Sequence, residues 1–488
     1  MAQSIGVVSI PASFETLRDA VGPDRIGQVL LECPEDLAAL KKAVAEVASA
    51  GQGKLMFLRG TPGAGKTSLA ESVPVFMSDS VGNILTPPPN YDVPIADLPR
   101  WISQNLAQAR REARDRVILI NLDRREIPVI DEVATQAAMG NLNGLLRTTP
   151  RALLVWPVNS QEFARAAVER LRLAGGETAL ARDPIHELIG LPEARYSDAL
   201  QLLLDATNVR LEDAAISPAE IDGLLVSGDT IGQFLRRVQG LVVQRYDLGE
   251  LGTTLPRLSI VISSNDDIYN TCRLLRRGSK FLVDPDKLLQ FSRANVAEDW
   301  RRRGAENPRR GLPFVSSLFE ARLLNLSSSA VVNACAWGGD AELQKTVRRY
   351  YAQPVRANAA NSMRNSAVAR ALRGVDDVGL ATSNPSDEIR KAYTAIQKRT
   401  NAKHRQINEA IIKVLTDQLD IQLPGVACEF KPLVDVGKGL QADVWSAGAD
   451  RPVALEFTHR KDGDAALAVI ASYVLTKVQD YARDYGLL

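Results

Sequence analysis

The sequence predicts an α/β protein in three parts: a parallel-sheet domain with a helical lid, an all-α basic middle region, and a small α+β domain at the C-terminal end. Three observations predict it. Short, continuous apolar runs alternate with amphipathic stretches over the first third of the chain, as in a parallel sheet whose strands are buried on both faces. Arginines crowd the helical stretch further on. Near the end, two apolar runs separated by a short turn read as a hairpin followed by a long helix. With 488 residues the chain is too long for one hydrophobic core. The expected parts are residues 1–175 (sheet domain), 176–264 (helical lid and a possible last sheet strand), 265–374 (basic helices), 375–387 (linker) and 388–488.

Asp36 to Ala50 carries Leu37, Leu40, Val44 and Val47 at helical spacing and stops at Gly51. Lys54–Arg59 and Gly82–Thr86 read as strands, the second ended by Pro87, Pro88 and Pro89. A charged helix is expected from Trp101 to Arg114, a buried strand at Val117–Leu122, a helix over Asp131–Arg147 and another buried strand at Ala152–Trp156. Residues 176–250 read as helical, with no convincing strand. Leu258–Ser263 reads as a strand, placed as the last one of the same sheet with the helical part inserted before it. The pattern is helical again to about residue 372. Val375–Asp387, rich in Gly, Ser, Asn, Pro and Asp, reads as a linker.

Apolar residues make up 45% and charged residues 24%, ordinary values for a soluble globular protein. No apolar run is long enough to span a bilayer, and Met1–Phe14 lacks the marks of a secretory signal, so a cytoplasmic location without a membrane partner is expected. Cys33, Cys272, Cys335 and Cys428 show no metal-ligand spacing and read as buried thiols in a reducing compartment. With three histidines, a His-rich metal site is excluded.

Gly60-Thr61-Pro62-Gly63-Ala64-Gly65-Lys66-Thr67, followed by Ser68, fits G-x-x-x-x-G-K-[ST] without mismatch, between an apolar strand and a helix. Glycines let such a loop curl until its N–H groups face a β-phosphate. The lysine reaches the β- and γ-phosphates and the threonine hydroxyl binds Mg²⁺. The expected ligands are therefore ATP and Mg²⁺.

The segment resembles the AAA+ and related P-loop ATPases over about residues 30–260, most specifically at the loop. That resemblance implies an acidic residue ending a second buried strand, and Asp123 stands there to hold Mg²⁺ through water. The family usually places a glutamate next, where this chain has Arg124. Glu126 or Glu132 is then the expected base. Asn159, after the strand Ala152–Trp156, resembles the polar sensor beside the γ-phosphate. In Gly228–Arg237, Arg236 and Arg237 are candidates for a lid arginine, at a looser spacing than the family's.

Between residues 270 and 405 there are 25 Lys plus Arg against 12 Asp plus Glu, a net of +13 in a chain whose total is +1. A positive surface of this kind attracts phosphate backbones without reading sequence. Trp300, Trp337, Tyr350 and Tyr351 are candidates for stacking on bases or for core packing, and Ser327–Gly338 for one helix of a helix-turn-helix. Nucleic acid, DNA rather than RNA, is the expected partner; a solvated basic face is the alternative.

Asp443, in Leu440–Trp445, and Glu456, in Val453–Thr458, lie 13 positions apart on paired strands, where their carboxylates can converge on a divalent cation. A helix from about Asp464 to Tyr485 closes the unit, with Tyr473, Lys477 and Tyr481 on one face. This arrangement resembles the restriction-endonuclease-like fold, with its D…E-x-K pattern, over about residues 400–488. The resemblance implies Mg²⁺ at Asp443 and Glu456, with Glu409 able to join. The lysine position holds Thr458, so Lys461 or Lys477 would substitute, and His459 is a further donor. The expected function is an ATPase acting on nucleic acid, joined to a nuclease-like domain, a fusion resembling bacterial systems that act on phage or mobile DNA. A homo-oligomer or a partner protein in such a complex is expected. The rival is a nucleotide-switched signalling or scaffold ATPase whose C-terminal domain binds without cutting.

Overall fold

In a computed structural model of the chain, residues 10–88, 92–123, 125, 132–175, 177–246, 255–278, 280–352, 354, 356–375, 385–399, 404–422, 430–435, 440–446 and 451–488 are described. They fall into two bodies. The first comprises Ser9–Thr207 and Pro218–Leu241; the second, Asn208–Ser217 and Val242–Leu488.

In the first body, α1 (Phe14–Val21) precedes α2 (Pro34–Ala50), which starts with proline in its first turn and ends on Gly51 in the left-handed region, the usual punctuation of a helix. Then follow β1 (Lys54–Arg59), α3 (Lys66–Phe76), β2 (Val81–Leu85), α4 (Leu98–Ala113), β3 (Val117–Asn121), α5 (Glu132–Thr148), β4 (Ala152–Val158), α6 (Gln161–Gly175), β5 (Leu180–Glu187), α7 (Tyr196–Thr207), α8 (Pro218–Asp222) and α9 (Ile231–Arg245). The five strands form one sheet in the order β2-β3-β4-β1-β5, every pair parallel. β1, β3 and β4 are apolar on both faces because helices cover both. Leu55, Phe57, Ile118, Ile120 and Trp156 pack on one side; Met56, Leu58, Leu119 and Val155 pack on the other, against Leu37, Leu40 and Val44 of α2. This five-stranded parallel sheet with helices on both faces is consistent with an α/β P-loop NTPase fold. Its parallel strands all end on one edge of the sheet, where ligands of such folds bind.

The second body contains β6 (Arg257–Ser264), α10 (Ile268–Leu274), β7 (Arg276–Arg277), β8 (Leu282–Val283), α11 (Pro285–Phe291), α12 (Asn295–Glu306), α13 (Leu312–Leu318), β9 (Arg322–Ser327), α14 (Ser328–Gly338), α15 (Ala341–Arg348), α16 (Arg356–Arg364), α17 (Ala367–Leu372), α18 (Asp387–Arg399), α19 (Arg405–Gln422), β10 (Phe430–Asp435), β11 (Gln441–Ser446), β12 (Val453–His459) and α20 (Leu467–Asp484). Its seven-stranded sheet runs β10-β11-β12-β6-β9-β8-β7. β12, β6 and β9 are parallel; the strands on either side pair antiparallel.

Four expectations about layout are corrected. Residues 176–250 contain a strand, β5, at the edge of the first sheet. Leu258–Ser263 belongs to the second sheet, not to the first. The middle region is not all-α, since β9 pairs with β6 along its length. Residues 388–488 do not form a unit of their own, because β12 hydrogen-bonds to β6 from Val453 to His459. The linker expected at 375–387 lies mostly outside the described residues. Among the described residues, no helix is long and apolar enough to cross a membrane.

Candidate functional site

β1 ends at Arg59 and α3 begins at Lys66, leaving the glycine-rich loop between them. Gly63 and Gly65 have φ of 85° and 98°, a region that side-chain-bearing residues rarely enter. The turn leads directly into α3, at whose start the helix dipole favours an anion. Lys66 Nζ donates to Gly60 O at 2.6 Å, Thr61 O at 3.0 Å and Asn159 Oδ1 at 2.8 Å. Thr67 Oγ1 donates to Asp123 Oδ2 at 3.0 Å. The loop, Asp123 and Asn159 thus come together from the ends of β1, β3 and β4. Glu126 lies outside the described residues; Glu132 opens α5, and its side chain lies outside them too.

Gly63, Ala64, Gly65, Lys66, Thr67 and Ser68 line one side of a cavity of about 320 Å³. Its other walls are apolar for the most part, including Val29, Leu30, Leu31, Leu203 and Leu235. An anion-binding end and an apolar end match the two halves of a nucleotide. α9 closes the loop side. Thr230 and Gln233 cap it reciprocally, Thr230 N donating to Gln233 Oε1 at 2.7 Å and Gln233 N to Thr230 Oγ1 at 3.3 Å. Gly232 N then donates to Gly63 O at 3.1 Å. Of the two candidates for a lid arginine, Arg236 lines the cavity, whereas Arg237 is engaged by Asp229 and by Leu224 O.

One buried cavity residue escaped the sequence reading. Asp36, on α2, accepts hydrogen bonds from His186 Nε2 at 2.7 Å, Ile189 N at 3.0 Å and Gly190 N at 2.9 Å. Burial pushes its carboxyl up, but these hydrogen bonds outweigh burial and hold it below the usual carboxylate range. In the sequence, Asp36 reads as an ordinary acid in the first turn of a helix, and nothing marks its partners some 150 positions on.

In the second body, the register that pairs Val444 with Leu455 sets Asp443 and Glu456 next to each other in the β11–β12 ladder. α20 packs its Lys477 and Tyr481 onto Glu456: Lys477 Nζ donates to Oε2 at 2.6 Å and Tyr481 OH to Oε1 at 2.7 Å. Asp443 Oδ2 accepts from Phe457 N at 2.8 Å. Burial raises both carboxyls, with Lys477 opposing it. Lys477, not Lys461, therefore stands at the carboxylates; Lys461 is exposed in the loop after β12. Glu409 pairs with Arg405 at 2.8 Å instead of joining them. His459 bonds Ser263 and Asn408.

Where Mg²⁺ is expected, at Asp443 and Glu456, the structure sets two buried carboxylates side by side and draws both into hydrogen bonds. Each Glu456 oxygen accepts one hydrogen bond, and the residue is 1% exposed. Among the described residues no group of three or more His, Cys, Asp or Glu is placed to hold a metal.

Many arginines of the basic segment serve structure. Arg276 is buried against Leu323 O and Asn325, Arg277 pairs with buried Asp213, and Arg301, Arg302 and Arg303 pair with acids of their own helix. Trp300 is buried, its Nε1 on Leu475 O, and Trp337 and Tyr351 pack against the core. Tyr350 is exposed, with Arg349 over its ring. α14 lies in the core, so the helix expected for a helix-turn-helix has no face to offer a groove.

No family model matches the chain, and no curated protein matches it. Among solved structures, one described as the crystal structure of a DNA replication initiation factor is similar at 11% identity, over 80% of this chain and 96% of that one, with a TM-score of 0.26.

Proposed function

We propose that the chain is a nucleotide-dependent ATPase of the AAA+ type, and that its first body binds ATP with Mg²⁺. The observation that supports it is the convergence of Lys66, Thr67, Asp123 and Asn159 at the edge of a parallel sheet, beside a cavity with an apolar wall. Loop amides at Gly63, Gly65 and Lys66 cradle the β-phosphate. Lys66 exchanges its carbonyl partners for phosphate oxygens. Thr67 and Asp123 are the residues that would hold Mg²⁺, whose charge offsets that on the phosphates. Asn159 stands beside the γ-phosphate, and Arg236 reaches the same cavity from α9. The base is Glu126 or Glu132.

Lys66→Ala is expected to abolish binding of a fluorescent ATP analogue to the full chain and with it ATP turnover. Binding at the wild-type level in that variant would overturn the reading.

A second reading concerns the other body, where a specific surface favours nucleic acid. Arg348, Arg349 and Arg356 are exposed within nine positions of each other, around exposed Tyr350. Charge and a stacking ring suit a phosphate backbone with an accessible base. This reading is one of binding and uses neither Asp443 nor Glu456.

A further inference from the structure

Asp36 stands outside the phosphate loop, yet its partners lead to it. The loop after β5, from Leu188 to Leu191, runs beside the phosphate loop. Leu188 N donates to Arg59 O at 2.7 Å. A Cβ on Gly60 would come within 3.1 Å of Leu188 Cβ, and a Cβ on Gly190 within 3.2 Å of Ala64 O. Gly190 itself has a φ of 78°. So the segment braces the phosphate loop at both ends, and a side chain at Gly190 would be strained by its φ and crowded against Ala64 O. What holds the brace is Asp36. Its carboxylate takes the consecutive amides of Ile189 and Gly190 and the ring of His186 on β5.

We propose that Asp36 is a positioning residue for nucleotide binding: through the Leu188–Leu191 brace it fixes the curvature of the phosphate loop. This rests on the ATP-binding reading. The physical reason is pre-organisation. A cradle of amides binds a phosphate well only if the amides already converge, since ordering them on binding subtracts from affinity. A carboxylate that accepts two successive backbone N–H groups fixes the segment in one conformation, and charge-assisted bonds of this kind are the strong ones.

The test is the affinity of the full chain for a fluorescent ATP analogue with Mg²⁺, in wild type, Lys66→Ala, Asp36→Asn, Gly190→Ala and the Asp36→Asn/Gly190→Ala double variant. Asp36→Asn sets an amide N–H against that of Gly190. It is expected to weaken binding by about ten- to a hundredfold, the worth of a hydrogen bond to a charged group. Gly190→Ala disturbs the same brace from the other end and keeps the test alive should Asp36→Asn not fold. Because both act through one segment, the double variant is expected to bind about as weakly as the worse single one. His186→Gln, which keeps an N–H donor, is expected to bind close to wild type; His186→Leu is not. Wild-type affinity in both Asp36→Asn and Gly190→Ala, with Lys66→Ala defective, overturns this inference alone. Strict additivity in the double variant also overturns it. Absence of binding in wild type overturns the ATP reading beneath it.

Discussion

His459 is buried with both ring nitrogens engaged, Nδ1 with Ser263 Oγ at 2.6 Å and Nε2 with Asn408 Oδ1 at 2.9 Å. With an amide oxygen as its partner, Nε2 carries the proton and Nδ1 accepts from Ser263. Tyr393 OH, 2.8 Å from Ser263 Oγ, completes the chain by donating to it. Burial, with His404 beside it, pushes the imidazole down to about 3. An unfolded histidine titrates near 6.5. Between these values the unfolded chain binds the extra proton and the folded chain does not. The stability from neutral His459 is therefore complete above about pH 6.5 and is lost as pH falls toward about 3. His459→Gln is expected to cost roughly 1–3 kcal/mol near neutral pH. The gap between its urea midpoint and that of wild type should narrow from about pH 7 to about pH 4, where the wild-type ring is driven to charge. Parallel curves would contradict the assignment.

At the scale of elements, the lid helix is set against the phosphate loop by two glycines. Gly232, one residue into α9, lies so close that a Cβ there would come within 3.0 Å of Gly63 Cα and of Gly63 O. Those are backbone atoms, which cannot swing aside. Gly232→Ala is expected to push α9 off the loop, with a penalty of about 1–3 kcal/mol for overpacking that appears as weaker nucleotide binding. Isothermal titration with an ATP analogue would show it, and an unchanged Kd would mean the loop does not need the lid. That contact was invisible in the sequence, where Gly232 is one glycine among many. The loop itself was legible, because its chemistry needs fixed residues at fixed spacing. β1, β3 and β4 were legible because a strand covered on both faces is apolar throughout. β5 was missed for the converse reason: it lies at a sheet edge and carries Arg182, Asp183 and Pro184, so no apolar run marks it. β6 was read as a strand but given to the wrong sheet, since an apolar run reports burial and not its partners. Tyr473, Lys477 and Tyr481 were seen to share a face of one helix; that Lys477 and Tyr481 both close on Glu456 depends on a packing partner no local pattern names.

For the whole molecule the informative quantity is charge and where it is spent. The segment from 270 to 405 carries +13 in a chain of total +1. The structure divides those arginines into two kinds. Arg276 and Arg277 are buried partners of the second sheet and of Asp213, and Arg301 to Arg303 are neutralised by acids on α12. Such groups contribute little to the field at the surface. Arg348, Arg349 and Arg356, at the end of α15 and the start of α16, face solvent. If the body meets a nucleic acid, these are among the residues whose counterions are released. Each phosphate neutralised on duplex DNA adds about 0.9 to the slope of log affinity against log salt. The triple variant Arg348→Ala/Arg349→Ala/Arg356→Ala is therefore expected to lower that slope by about 2.7 and to weaken DNA binding without regard to sequence. Replacing Arg301 to Arg303 in the same way should change the slope far less. Binding of ATP, which we propose for the other body, should be the same in both variants. A gel shift series from about 50 to about 200 mM salt measures the slopes. If wild type fails to shift DNA at the lowest salt, the exposed arginines are a solvated face or a seat for an acidic protein, and the nucleotide-switched scaffold becomes the better account.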